Sequence, residues 1–265
     1  MRRLTNSRDN LPDDQAFLGS DPLTQEGDLL APTLDAIGSL RPFGRDVPEQ
    51  RLAPELTADS PTSPSVLIRA TSLAAVGRRL DAIALLRQVI EEGPDVVEAR
   101  VALAELHGSA GDWDAALAEL TQALAGGAAR APTLVLRGAF HAQAGQTREA
   151  EHDFREAARQ DPSYWLAYRY LGAARLRKGA SREAIEVLRE AHSLAPQDQE
   201  SVLLLGEALP IQGELPEAER VLSLAIELGP RDPRGYLVLG RLLDRLGRTD
   251  EAMAMHRKAR EVTPA

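Results

Sequence analysis

The chain from residue 63 to residue 265 repeats one pattern of small, apolar and polar positions every 34 residues. A glycine marks the same place in each of six units: Gly77, Gly111, Gly145, Gly179, Gly213 and Gly247. An alanine follows each glycine by five residues: Ala82, Ala116, Ala150, Ala184, Ala218 and Ala252. A small residue precedes each glycine by seven residues: Ala70, Ala104, Gly138, Gly172, Gly206 and Gly240. Residue types that recur at the same position of every 34-residue unit predict an array of six similar structural units.

Apolar residues between these marks keep the spacing of amphipathic helices. In the fourth unit they include Tyr168 and Leu171 before the glycine, and Ile185 and Leu188 after it. The glycine is predicted to end the first helix, where the chain needs a positive φ or a tight turn. A proline ends the second helix in five of the units: Pro94, Pro162, Pro196, Pro230 and Pro264. Each unit is therefore predicted to be a helix–turn–helix.

The turn segments at residues 145–150, 179–184 and 213–218 read GQTREA, GASREA and GELPEA. With the 34-residue period and the order of small residue, glycine, alanine and proline, they resemble the tetratricopeptide repeat family. The resemblance covers 203 of the 265 residues. It implies an all-α fold, a right-handed α-solenoid whose first helices line a concave groove and whose second helices form the convex side. The repeats are predicted at 63–96, 97–130, 131–164, 165–198, 199–232 and 233–265.

Two repeats depart from the pattern. The second has Ala128 where the others have proline, after Gly126 and Gly127, so we expect these glycines to break the helix there. The fifth has Pro210 inside its first helix. Since proline has no amide hydrogen, Pro210 is predicted to remove one backbone hydrogen bond and to kink that helix.

Residues 1–62 do not repeat. They are rich in proline, aspartate, serine and threonine, and carry six basic and eleven acidic side chains. This composition predicts a largely irregular N-terminal tail. Leu30, Leu34 and Ile37 lie at the spacing of one face of a short helix. The cluster is either a chance feature of a loose tail or a docking segment, for a partner or for the chain's own repeats.

The last repeat ends at Ala265 with no further helix after it. Because repeat arrays often carry a polar capping helix, the final helix is expected to expose the face that a seventh repeat would cover. One hypothesis is that another subunit covers this face and makes a homo-oligomer. The alternative is that Arg257, Lys258 and Arg260 keep the face soluble without a partner.

Composition narrows the possible classes of function. The chain has no cysteine, which excludes disulfides, cysteine-ligated metal centres and thiol catalysis. The net charge of −9 argues against binding to nucleic acid. No apolar run is long enough to span a membrane, and none follows Arg2 and Arg3 as a secretory signal requires. We therefore expect no membrane insertion, and a soluble protein of the cytoplasm.

No catalytic motif is present: the sequence contains no phosphate-binding glycine loop, no HExxH and no GxSxG. His107 and His141 occupy the same position of successive repeats. A packing role for this pair is favoured over a metal-binding or acid–base role. The sequence accordingly predicts no enzyme activity, no catalytic residue, no metal and no cofactor.

The resemblance places ligand contacts on the first helix of each repeat, at its second, fifth, sixth, ninth, twelfth and thirteenth positions. At such positions the sequence is apolar with some acid in the N-terminal half and arginine-rich in repeats four and six. The predicted groove residues are Leu67, Val101, Glu105, Val135, Arg169, Tyr170, Arg177, Glu207, Arg234, Arg241 and Arg245. Because arginine binds carboxylates with two parallel hydrogen bonds, a partner with an apolar segment and acidic residues is expected. The alternative is that these arginines balance local glutamates.

One subset of the family binds the acidic C-termini of chaperones through a set of lysine and asparagine residues. Arg169 stands at one of those positions, but Ala173 replaces the asparagine four residues later. Binding of Hsp70 or Hsp90 tails is therefore not predicted. The leading hypothesis is a bacterial scaffold or adaptor that binds a partner protein or peptide in its groove. The alternatives are a dedicated chaperone for secretion or pilus subunits, and an accessory subunit of an enzyme or transcription-regulator complex.

Overall fold

The computed structural model describes residues 63–92 and 96–263, and it contains twelve α-helices and no strand within those ranges. The helices that come first in their repeats are α1 Ser63–Ala75, α3 Val96–Gly108, α5 Arg130–Gln143, α7 Trp165–Arg177, α9 Gln199–Ala208 and α11 Pro233–Arg245. The second helices are α2 Arg79–Glu92, α4 Trp113–Ala125, α6 Thr147–Gln160, α8 Ser181–Leu194, α10 Leu215–Leu228 and α12 Thr249–Val262. The N-terminal tail, Pro94 and Pro264 lie outside the described residues.

The twelve helices stack in sequence order as a solenoid. Each first helix packs against the second helix of its own repeat and, from repeat two onward, against the second helix of the repeat before it. First helices of successive repeats also contact each other directly, as α7 and α9 do. This direct contact places the first helices side by side along the array, which is the arrangement that forms a concave face.

The six turn glycines end the first helices as predicted. All of them adopt a left-handed conformation, with φ between 72° and 82°. In this region a side chain would be strained, so glycine closes the turn at the lowest cost. The second repeat breaks its second helix with glycines, because α4 ends at Ala125 and Gly127 has a φ of 97°.

The column of small residues lies where the two helices of a repeat cross. A Cβ added at Gly172 of α7 would lie 2.5 Å from Cγ of Leu188 in α8, and one at Gly206 would lie 2.5 Å from Cδ2 of Leu222. These distances are shorter than a carbon–carbon contact allows, so the leucines occupy the space of the missing side chain. The small residues at this crossing therefore set how closely the two helices of a repeat approach each other.

Pro210 lies where the first helix of repeat five changes its helix type. The α-helix α9 ends at Ala208, and residues Leu209–Gln212 continue as a short 3₁₀ helix before Gly213. Proline cannot donate the hydrogen bond that an α-helix needs at this position, and the tighter 3₁₀ geometry replaces the last α-helical turn. A disturbance at Pro210 was expected, and the structure shows a change of helix type there, while the kink stays a prediction.

Across the described residues, no helix is both long and apolar enough to span a membrane. The largest apolar core runs through repeats three to six and includes Phe154, Leu188, Leu204 and Leu222, all of which are buried. Smaller clusters surround Leu86 in repeat one and Leu120 in repeat two. The C-terminal repeats thus form the most extensively packed part of the solenoid.

Candidate functional site

All eleven predicted groove residues lie on first helices, but they differ in exposure. Val135, Tyr170 and Glu207 are buried, so a ligand does not reach them in this conformation. The ring of Tyr170 stacks on Phe154 with centroids 5.4 Å apart, and its place is in the core between repeats three and four. The other eight residues are partly or fully exposed. The predicted set therefore consists of three buried residues and eight residues that are partly or fully exposed.

Arg169 is held by groups on its own chain. Its Nη1 lies 3.2 Å from Oδ1 of Asp198, the residue directly before α9, and its Nη2 donates to the hydroxyl of Tyr170 at 3.2 Å. The guanidinium carbon lies 4.8 Å from the centroid of the Tyr170 ring and 5.1 Å from that of Trp165. Ring faces attract a cation at this range. Arg169 is therefore positioned and neutralised before any ligand arrives.

Arg234 is neutralised in the same way. Its Nη2 lies 2.7 Å from Oε2 of Glu200 and 2.8 Å from Oδ2 of Asp232. Burial lowers the pKa of Arg234, but its hydrogen bonds to Asp232 and Glu200 outweigh this effect and raise the pKa above its ordinary value. Gln199 also donates to Asp232 at 3.0 Å. For Arg169 and Arg234 the alternative stated from the sequence is correct, because these arginines balance local acids.

Arg177 differs from these two arginines. Its Nε and Nη2 are buried, and within the described part of the chain neither has a hydrogen-bond acceptor. Burial lowers the pKa of the guanidinium without a compensating carboxylate. These buried donors can bind a carboxylate or a carbonyl oxygen from a partner only when the side chain turns toward solvent. Among the predicted arginines, Arg177 thus has buried donors without an acceptor among the described residues, while Arg245 is exposed.

Glu207 of α9 is the most unusual group of the site. It is 3% exposed, and neither carboxyl oxygen has a hydrogen-bond donor among the described residues. Burial raises the pKa of this carboxyl to about 8, and the neighbouring Glu200 contributes to the rise, while Arg241 and Arg234 oppose the shift. Near neutral pH the side chain is therefore mostly protonated and uncharged.

The N-terminal half of the array presents apolar surface. Leu67 and Val101 are partly exposed and pack at the edges of the two smaller cores. Ile68 of α1 is 47% exposed. Glu105 on α3 is partly exposed. The first helices thus present apolar side chains in repeats one and two, while repeats four and six add the arginines predicted for the groove.

The two histidines of the shared repeat position take part in turns. Nδ1 of His107 lies 3.2 Å from Oδ2 of Asp112, and Nδ1 of His141 contacts Oε1 of Gln146. Each contact joins the end of a first helix to the residue after the turn glycine. No group of three or more potential metal ligands occurs in the regions that the structure covers.

Three members of the site were missed from the sequence: Trp165, Asp198 and Asp232. The two aspartates are 34 residues apart and are the N-caps of α9 and α11, where their side chains accept from the amides of Ser201 and Arg234. An aspartate at the same position of two successive repeats could be recognised in the sequence. The pairing of these aspartates with arginines, Asp198 with Arg169 of the preceding first helix and Asp232 with Arg234 of its own helix, could not.

The last helix combines apolar and charged exposed residues. A Cβ added at Gly235 of repeat six would meet Ile226 of α10, and the residue 34 positions after Ile226 is the exposed Arg260. Met253 on the same helix as Arg260 is 57% exposed. In the sixth repeat, the position that contacts the next repeat in the fifth therefore carries the charge of Arg260. The exposed Met253 adds apolar surface to the same helix.

Sequence models described as tetratricopeptide repeat match residues 73–132 and 175–242, residues 141–199, and residues 233–265. The chain belongs to the tetratricopeptide repeat family. No curated protein matches it by sequence.

Solved tetratricopeptide repeat structures share the fold. MamA from Desulfovibrio magneticus RS-1 is 21% identical and has a TM-score of 0.58, with 63% of this chain and 95% of that chain covered. YrrB, described as having an unusual peptide-binding site, is 22% identical with a TM-score of 0.56, over 68% of this chain and 92% of that one. A repeat protein from Parabacteroides merdae is 18% identical with a TM-score of 0.63, over 76% and 80% of the two chains.

Proposed function

We propose that this chain is a scaffold or adaptor that binds an extended segment of a partner protein along its first helices. The observation that carries the proposal is the arrangement on α7, α9 and α11. Arg169 and Arg234 are fixed by Asp198 and Glu200 as rigid ion pairs on the first helices, in repeats that also carry the partly exposed Arg177. A preorganised surface loses little entropy when a ligand binds.

The membership of the repeat family supports this proposal, since such arrays present extended concave binding surfaces. The YrrB structure, whose description names a peptide-binding site, shares the fold. We infer that the ligand places apolar side chains over repeats one and two and an acidic residue near Arg177 or Arg245. The proposal assigns no catalytic step, cofactor or nucleic acid to the chain.

A display library of random peptides tests the function even though the natural partner is not identified. The full-length chain is expected to enrich peptides that combine apolar and acidic residues. Arg177→Gln should weaken the enriched peptides by about tenfold or more, which corresponds to the loss of one charge-assisted hydrogen bond. Arg182→Gln on α8 is the matched control, because Arg182 is exposed on a second helix.

Two outcomes would contradict the proposal. If the library yields no reproducible peptide, the chain does not bind extended segments in this way. If Arg182→Gln weakens binding as much as Arg177→Gln does, the binding surface lies on the second helices.

We also propose that the protein acts in the bacterial cytoplasm and that copies associate through the face of α12. A mass measurement across a range of protein concentrations, with Met253→Lys for comparison, tests the association. A concentration-independent monomer would exclude it. Cell fractionation tests the compartment.

A further inference from the structure

Glu207 lies on α9, a helix that contacts α11, and it is 3% exposed. Both oxygens of its carboxyl are buried and lack a hydrogen-bond partner among the described residues. Buried polar groups without partners are rare in folded proteins, and each one requires a physical explanation. An uncharged carboxyl tolerates this environment far better than a carboxylate does.

The charged groups around Glu207 come from several elements. Glu200 belongs to its own helix, Asp232 precedes α11, and Arg234 and Arg241 lie on α11. Arg234 is already bound to Glu200 and Asp232, so these three groups form a closed set. On α7, Arg169 is bound to Asp198, and Arg177 lies at the end of the helix.

The backbone next to Glu207 is the one place in the described first helices where a 3₁₀ segment follows the α-helix. The α-helix ends one residue later at Ala208, and the 3₁₀ segment Leu209–Gln212 follows. This segment packs against α8, α9 and α10. A buried carboxyl and a change of helix type thus lie next to each other near the end of α9.

We propose that Glu207 makes the contact between repeats five and six sensitive to protons, so that loss of its proton loosens α11 and α12 from the rest of the solenoid. A carboxylate at this position repels Glu200 and Asp232 and lacks the hydrogen bonds that would stabilise it. It reaches water when α9 and α11 separate. Because each repeat contacts only its neighbours, the opening leaves repeats one to four intact.

The range of the transition follows from burial, which raises the pKa of Glu207 to about 8. At a pH about one unit above this pKa, the ionised form outnumbers the protonated form about tenfold. The inference concerns the solenoid itself and does not depend on the proposed peptide binding.

Hydrogen exchange of the full-length chain, with labelling times scaled to the intrinsic rate at each pH, tests the proposal. Between about pH 6 and about pH 9, amides of α11 and α12 are expected to lose about tenfold more protection than amides of α5 and α6. Glu207→Gln, which cannot ionise, should remove this difference. Glu227→Gln on α10 serves as the control, since Glu227 is exposed and its change leaves Glu207 able to titrate.

The proposal is overturned if the natural chain and Glu207→Gln lose protection equally across this range. It is also overturned if all repeats lose protection together. Carbon-13 resonances of the glutamate carboxyls give a second measurement on the unmodified protein. A Glu207 that titrates in the ordinary range of exposed glutamates would exclude the proton-sensitive contact even if the variant failed to fold.

Discussion

Arg234 of α11 and Glu200 of α9 occupy the same position of successive repeats, 34 residues apart, and their side chains bind each other. Two nitrogen–oxygen contacts of 3.1 and 2.7 Å join the guanidinium to the two carboxylate oxygens. Asp232 binds the same guanidinium from the loop before α11. The pair connects the first helices of repeats five and six and removes Arg234 from the charges available to a ligand.

Removal of Arg234 should destabilise the C-terminal repeats. Arg234→Ala leaves Glu200 and Asp232 without this cation near Glu207, and the expected loss in free energy of unfolding is about 1–3 kcal/mol. Urea unfolding followed by circular dichroism measures the change. Arg231→Ala is the matched control, because Arg231 is exposed in the same loop. Equal unfolding midpoints for the two variants would show that the pair contributes nothing to stability.

Glu207→Gln should stabilise the protein in a pH-dependent manner. Because the folded pKa is raised to about 8, the folded chain holds a proton that the unfolded chain has released above its ordinary pKa of 4.5. Stability therefore falls as pH rises from the unfolded to the folded pKa, by about 1.4 kcal/mol for each pH unit. The advantage of the glutamine variant should be small near about pH 5 and largest above about pH 8. Thermal unfolding at both ends of the range measures it, and a constant difference between the two proteins would show that the pKa of Glu207 is not raised.

Asp153 provides a buried ion pair within repeat three. Its carboxylate accepts two hydrogen bonds from Arg137, at 2.7 and 2.8 Å, and its side chain is 3% exposed. Asp153→Asn should destabilise the fold by about 1–3 kcal/mol, because the guanidinium loses its charged partner. Arg159→Ala removes the exposed pair with Glu156 and should change stability by less than about 1 kcal/mol. Chemical unfolding of both variants gives the comparison, and an equal loss in each would contradict the importance of burial.

Gly172→Ala tests whether the position at which the two helices of a repeat cross requires glycine. The added carbon would lie 2.5 Å from Leu188, so the helices must move apart or the leucine must shift. Repeats one and two already accept alanine in this column, at Ala70 and Ala104, in units that carry Leu86 and Leu120 at the position of Leu188. We therefore expect a moderate loss of about 1–3 kcal/mol, measured by urea unfolding. A stabilised variant would show that the crossing has room for the methyl group and that the helix propensity of alanine prevails.

Much of the fold follows from local chemistry and could be predicted from the sequence. The turn glycines and the apolar spacing act within a few residues, so the prediction of paired helices did not depend on distant contacts. Pro210 was recognised as a disturbance for the same reason, since a missing amide hydrogen is a property of the residue. Its outcome, a 3₁₀ segment, depended on how the following turn packs.

The candidate site was less accessible to such reasoning. Arg169 and Asp198 are 29 residues apart, and nothing in either local segment indicates that they meet. The sequence around each arginine at a groove position does not indicate whether that arginine is paired. Only the placement of α9 beside α7 and of α11 beside α9 decided that Arg169 and Arg234 are paired, while Arg177 has buried donors without an acceptor among the described residues.

The sequence by itself determined the number of repeats, their helical pairs and the positions of their turns, because a period of 34 residues repeats the same local preferences six times. The tertiary structure decided which charges are neutralised and which are left buried. Glu207 illustrates the difference, because a glutamate on an amphipathic helix is ordinarily solvated. Its enclosure and the high pKa that results arise only when a neighbouring helix excludes water from it.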